Sequence, residues 1–151
     1  MTATTDTLPA NALPAAALGG IIETGLYVGD LPRSRTFYCD VVGCEVMMDT
    51  PRLAALSVAG RSVLLLFERG ATDEALPTPG GIVPGHGASG VQHLAFAITA
   101  AEVPAWLERL HASTIAVESR VRWPRGGESI YFRDPDGHSV ELVTPGLWAI
   151  Y

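Results

Sequence analysis

Apolar and polar positions along this chain change period in a fixed order, and the order occurs twice. Residues 21–28 are rich in β-formers and end at Gly29-Asp30, which reads as a strand. Asp30 or Ser34 caps the helix that follows, with Pro32 in its first turn; Phe37, Tyr38, Val41 and Val42 form its apolar stripe and Gly43 stops it. Strands are expected at 44–48, 53–58 and 61–67, the last two joined across Ala59-Gly60. Nine glycines and prolines between residues 68 and 90 mark a linker or lid. The pattern then restarts. A strand at 91–98 leads to a helix at 102–110 with Val103, Trp106, Leu107 and Leu110 on one face. An extended stretch at 114–121, a strand at 129–133, a turn at Asp134-Pro-Asp-Gly137 and a strand at 138–143 complete it.

Two βαβββ modules are therefore predicted, and their last strands carry nearly the same residues. Gly60-Arg-Ser-Val-Leu-Leu-Leu66 matches Gly137-His-Ser-Val-Glu-Leu-Val143. A shift of 70 superposes the first strand and helix of each module, and a shift of 77 superposes the last hairpins. That register pairs Glu23 with His93 and Leu64 with Glu141. Side chains alternate along a strand, so Leu26 and Val28, Phe96 and Ile98, and Val140 and Leu142 turn toward the helices. Glu23, Gly25 and Tyr27, then His93, Ala95 and Ala97, then Ser139, Glu141 and Val143 take the opposite face. Gly25, Ala95 and Ala97 are small and leave room there for a ligand.

Two carboxylates and an imidazole on one concavity need a cation among them. Carboxylate oxygen and neutral imidazole suit one divalent metal: Ni, Mn, Fe, Co or Zn. Three protein ligands would leave positions open, which is a catalytic arrangement. Taken singly, each residue also has a plain structural reading. Glu23 fits a solvated edge, His93 a satisfied core histidine, and Glu141 an ion pair with Arg133 or Arg122. Jointly, three polar residues at symmetry-related places in apolar strands favour chemistry.

Composition narrows the partners. The length of 151 residues, with 48% apolar and 17% charged residues, fits one globular domain. A net charge of −6 argues against nucleic acid, which requires a basic stripe. Apolar runs are too short to span a bilayer. The first twenty residues lack Lys and Arg and read as a flexible tail rather than a targeting sequence, so a cytoplasmic location is expected. Cys39 and Cys44 read as reduced structural thiols.

The chain resembles the vicinal oxygen chelate superfamily: glyoxalase I, extradiol dioxygenases, fosfomycin-resistance enzymes, methylmalonyl-CoA epimerase and bleomycin-binding proteins. Leu26-Tyr-Val-Gly-Asp-Leu-Pro-Arg-Ser-Arg-Thr-Phe-Tyr38, Gln92-His-Leu-Ala-Phe96 and Tyr131-Phe-Arg-Asp-Pro-Asp-Gly-His-Ser-Val-Glu-Leu142 carry the resemblance, over about residues 20–148. It implies an α+β domain at 21–148, with module 1 at about 21–67, a lid at 68–90 and module 2 at about 91–143, forming a half-open barrel around a metal. It also implies a homodimer. The first ligand position, usually His or Gln, holds Glu23, and the fourth holds leucine. The resemblance then implies metal ligands Glu23, His93 and Glu141, with Glu23 and Glu141 as catalytic groups. A small substrate with vicinal oxygens is expected to pass through a metal-stabilised enediolate, in a glyoxalase-type lyase or isomerase. An extradiol-type ring-cleaving dioxygenase and a non-catalytic, bleomycin-resistance-like binding protein stay open beside it. Tyr27, Arg122, Trp123 and Arg125 are the candidate substrate-binding residues, and no glutathione-binding pattern can be read.

Overall fold

The computed structural model describes residues 16–151. Strand β1 (Glu23–Val28) leads into helix α1 (Leu31–Phe37), whose N-cap is Asp30; its carboxylate accepts from the Arg33 amide. Ser34, the other candidate cap, is buried and donates instead to Asp136. The helix runs on as a π-helical turn, Tyr38–Val42, and stops at Gly43. Strands β2 (Glu45–Asp49), β3 (Leu53–Val58) and β4 (Ser62–Glu68) complete a sheet of order β1-β4-β3-β2, with β1 and β4 parallel. The lid expected without structure contains a short hairpin, β5 (Leu76–Thr78) with β6 (Gly81–Val83). The second module repeats the plan. It comprises β7 (His93–Ala97), helix α2 (Val103–Ala112), β8 (Ser119–Arg122), β9 (Glu128–Arg133) and β10 (Ser139–Val143), in the order β7-β10-β9-β8. Of the expected tail at 1–20, residues 1–15 lie outside the described residues and 16–20 form no regular element. Among the described residues no helix is long and apolar enough to cross a membrane.

Both sheets bury one face in a single core. Leu26, Val28, Leu64 and Leu66 of module 1 join Phe96, Phe132, Val140 and Leu142 of module 2, with Phe37, Tyr38 and Leu110 from the helices. Each such side chain contributes roughly 1.5–3 kcal/mol of transfer free energy. Cys39 and Cys44 are free thiols, and burial pushes the Cys44 thiol up to about 11, so it packs as an inert apolar group.

The parallel pairings correct the repeat register. Glu23 lies opposite Val63 and Gly25 opposite Leu65. His93 lies opposite Ser139 and Ala95 opposite Glu141. Hence Leu65, not Leu64, stands where Glu141 stands, while Leu64 is fully buried in the core as Val140 is. The reason lies in the turns. β3 and β4 pair up to Val58 and Ser62, whereas β9 and β10 pair up to Arg133 and Ser139. Gly60 stands three residues before Val63, the partner of Glu23, whereas Gly137 stands two before Ser139, the partner of His93, and a slip of one residue exchanges the faces.

The wider second turn also joins the modules. Its Asp134 carboxylate is buried and accepts from the Tyr38 hydroxyl and from the amides of Asp136 and His138. Burial and the Asp134 charge raise the Tyr38 phenol, which stays protonated and donates. Asp136 accepts from Ser34 and from the Gly29 amide. His138 accepts from the Gln92 amide at Nδ1, and its Nε2 donates to the Tyr27 carbonyl. His138 is thus structural. Asp134→Ala orphans a buried phenol and two amides, and it should lower the unfolding free energy in urea melts by about 3 kcal/mol. A loss under ~1 kcal/mol would mean that this turn does not hold the modules together.

Candidate functional site

His93 begins β7 and Glu141 sits in the middle of β10, between Val140 and Leu142, which face the core. The two side chains meet: Nε2 of His93 is 3.2 Å from Oε2 of Glu141. His93 Nδ1 lies 3.0 Å from the Ser139 carbonyl oxygen. A carbonyl only accepts, so Nδ1 carries the hydrogen and Nε2 of the neutral ring presents a lone pair. Glu141 is buried, at 3% exposure, and its other oxygen, Oε1, accepts from the Ser129 hydroxyl. Two acceptors therefore face each other across 3.2 Å. A proton or a metal cation has to stand between them. An imidazole with its second nitrogen on a backbone carbonyl, beside a hydrogen-bonded carboxylate, is a donor set suited to a divalent first-row metal. The histidine is about half exposed, so the pair opens to solvent.

Glu23 does not join them within one chain. Among the described residues, no group of three or more His, Cys, Asp or Glu side chains is placed to hold a metal. The topology explains this. The Tyr27 amide donates to Gln92, so the C-terminal end of β1 meets the start of β7. Glu23 lies at the other end of β1, about 13 Å away along the strand. There it is exposed and lines a groove of about 490 Å³ with Arg61, Ser62, Ala95 and Ala97.

The remaining candidates divide. Tyr27 lies on the Glu23 face, and its hydroxyl is 2.5 Å from Nδ1 of His86. His86 is exposed yet tied down: its amide donates to the Thr72 carbonyl and its carbonyl accepts from the Thr72 hydroxyl. The room expected beside Gly25 is taken by the Phe67 ring, which would stand 2.9 Å from a β-carbon there and stacks on Tyr27. Ser119 and Val121 pair with Tyr131 and Ser129, so they share the Glu141 face. Alternation then puts Arg122 on the opposite face, shared with Ile130, and removes it from the candidate concavity. Trp123 remains, with its indole N–H donating to Ser129 at 2.7 Å. Arg125 lines a separate cavity of about 400 Å³ between Trp123 and Trp148. Arg133 pairs with Glu118 and leaves Glu141 to His93. Ser129 and Tyr131 were not foreseen. Their signal was the alternation of Ser129, Tyr131 and Arg133 against Ile130 and Phe132. Burial raises the Tyr131 phenol, against a hydrogen bond with Ser129, and the Glu141 charge adds to the rise. Tyr131 is thus kept as a neutral donor beside Glu141.

A model of the Glyoxalase/Bleomycin resistance protein/Dioxygenase superfamily matches residues 20–142. The chain belongs to this superfamily. It is 28% identical to metallothiol transferase FosB of Staphylococcus saprophyticus over 121 residues, which is 80% of this chain and 73% of that protein. It is 31% identical to catechol-2,3-dioxygenase of Bacillus subtilis over 118 residues, 78% of this chain but 38% of the relative. The crystal structure of lactoylglutathione lyase from Agrobacterium tumefaciens superposes with a TM-score of 0.81 at 39% identity, covering 89% of this chain and 99% of that one. The superfamily's vicinal-oxygen fold, with paired α+β modules, is the fold expected from the repeat.

The lid is the part of the site most open to a steric test. Gly85 precedes His86, and a β-carbon there would stand 2.3 Å from the Asp73 carbonyl oxygen. Gly85→Ala should therefore lift His86 off Tyr27. The His86 Nδ1 resonance in ¹⁵N NMR should move to that of a free imidazole; an unmoved resonance would show that the loop is held elsewhere.

Proposed function

We propose that this chain is a metal-dependent enzyme of the glyoxalase type, a lyase or isomerase acting on a small substrate with vicinal oxygens. His93 and Glu141 of one chain would hold the ion together with Glu23 of the partner subunit in a homodimer. The observation that carries the reading is the pair of lone pairs turned toward each other at His93 Nε2 and Glu141 Oε2. When bound, a dication would polarise substrate oxygens as a Lewis acid. Glu141 has both oxygens engaged, one by Ser129 and one at His93, which suits a ligand better than a mobile base. Glu23 is exposed in the single chain and is the carboxylate left to hold a proton taken from substrate carbon. The Tyr27 hydroxyl, backed by His86, would orient a substrate oxygen on the same wall, and Trp123 would bound the opposite one.

The names of the relatives span transfer, lyase and dioxygenase chemistry. Two carboxylates and one imidazole favour the lyase reading, because they neutralise a dication. The two-histidine, one-carboxylate triad used by Fe(II) oxygenases is not matched by Glu23, His93 and Glu141. The separation of Glu23 from His93 along the strands supports a two-chain site.

Calorimetric titration with Mn²⁺, Ni²⁺ or Zn²⁺ should find one ion per chain, and Glu141→Gln should weaken binding by at least tenfold. Glu23→Ala and His93→Ala should each bind poorly alone. Unfolded together and refolded as a mixture, they should recover about a quarter of the wild-type capacity, since half of the dimers are mixed and each of those has one intact site. No recovery would reject the shared site, and no stoichiometric ion in the wild type would reject the metal.

A further inference from the structure

Glu141 is reached by a one-way chain of hydrogen bonds that begins at Trp123. An indole N–H can only donate, and Trp123 Nε1 is 2.7 Å from Ser129 Oγ. The single Ser129 hydrogen is thereby directed away from Trp123 and onto Oε1 of Glu141. Ser129 is fully buried, so no water competes for either bond. The far end is equally constrained. The Trp123 amide donates to the Gly127 carbonyl and the Gly126 amide to the Trp123 carbonyl, closing a tight turn. Gly127 is pressed onto the chain at Gly146, where a β-carbon would lie 2.8 Å from backbone atoms. The turn that carries Trp123 is thus wedged between β8, β9 and the segment after β10. The other face of the indole lines the cavity with Arg125 and Trp148.

We infer that Trp123 and Ser129 are positioning residues that fix the Glu141 carboxylate and set the affinity of the ion it holds, with the Trp123 indole reporting occupancy. The inference rests on the metal reading above. Their effect is to orient one carboxylate rotamer, with Oε1 occupied and Oε2 turned to His93 Nε2. Without the Ser129 hydroxyl, Oε1 loses the donor that fixes it, and the carboxylate can rotate away from the histidine. Trp123→Phe keeps the aromatic wall but deletes the N–H, leaving the serine free to reorient.

The test uses the full-length chain, freed of metal by chelator, titrated with Co²⁺ and Zn²⁺. Heats, the visible Co²⁺ spectrum and tryptophan emission are followed together. Ser129→Ala and Trp123→Phe should bind Zn²⁺ about 10- to 100-fold more weakly than wild type. Their Co²⁺ band should shift, a signature that loss of fold alone does not produce in protein whose circular dichroism is unchanged. Wild-type emission should change on titration. Trp123→Phe should abolish that change, whereas Trp106→Phe, on the distant helix α2 beneath Arg109, should keep it. Unchanged affinity and spectrum in both variants, with Glu141→Gln still impaired, would overturn the positioning role and leave the metal site standing. Absence of binding to the wild type would overturn both.

Discussion

A β-strand has two faces, and in this chain one face of each sheet is committed to a shared core. Leu26, Leu64 and Leu66 on one sheet and Phe96, Val140 and Leu142 on the other belong to one apolar cluster. The opposite face is left to other groups, and Glu23, His93 and Glu141 sit there. The same commitment fixes how far apart they are. The end of β1 at Tyr27 is tied to Gln92 and His138, which leaves Glu23 a strand's length from His93. The core thus dictates that Glu23 stays apart from His93 and Glu141 within one chain.

The tie itself is polar and buried. Asp134 gathers a phenol and two amides within a five-residue turn, and Asp136 and His138 extend the contact to Gly29, Ser34 and Tyr27. A carboxylate taken out of water is tolerated only when its lone pairs are satisfied, and here they are. The turn does more than reverse the chain: its length sets the register of β10, and with it the face on which Glu141 stands.

This explains what could be read from the residues alone. The βαβββ repeat, the two faces of each strand and the candidacy of Glu23, His93 and Glu141 follow from period-two alternation, which survives tertiary context because one face is buried. The equivalence of Leu64 and Glu141 does not, because matching residues were aligned on Gly60 and Gly137, and the turns around those glycines differ in length. Arg122 misleads for a related reason: charge and proximity to Trp123 suggest substrate, but alternation from Ser129 puts it on the other face. His86 and the β5–β6 hairpin lay in a stretch whose glycines and prolines mask any period. Its order comes from pairing with Thr72 and from Phe67 and Tyr27, contacts distant in sequence.

The duplication ends as a division of labour rather than a symmetry. Leu65 holds the place that Glu141 holds in the second module, and around it module 1 is aromatic: Phe67, Tyr27 and His86 fill the space beside Gly25. In module 2 the places of Tyr27 and Phe67 fall to Ala97 and Val143, and Ala95, Ser129 and Tyr131 surround a carboxylate. A leucine at that place gives one wall to packing. Concentrating the polar groups on one sheet has an energetic logic. A single buried carboxylate accepts from one serine hydroxyl, itself fixed by an indole, whereas a second at Leu65 would need its own donors in a wall already filled by rings. The asymmetry that distinguishes the two strands is thus the condition under which the polar half stays buried and in place.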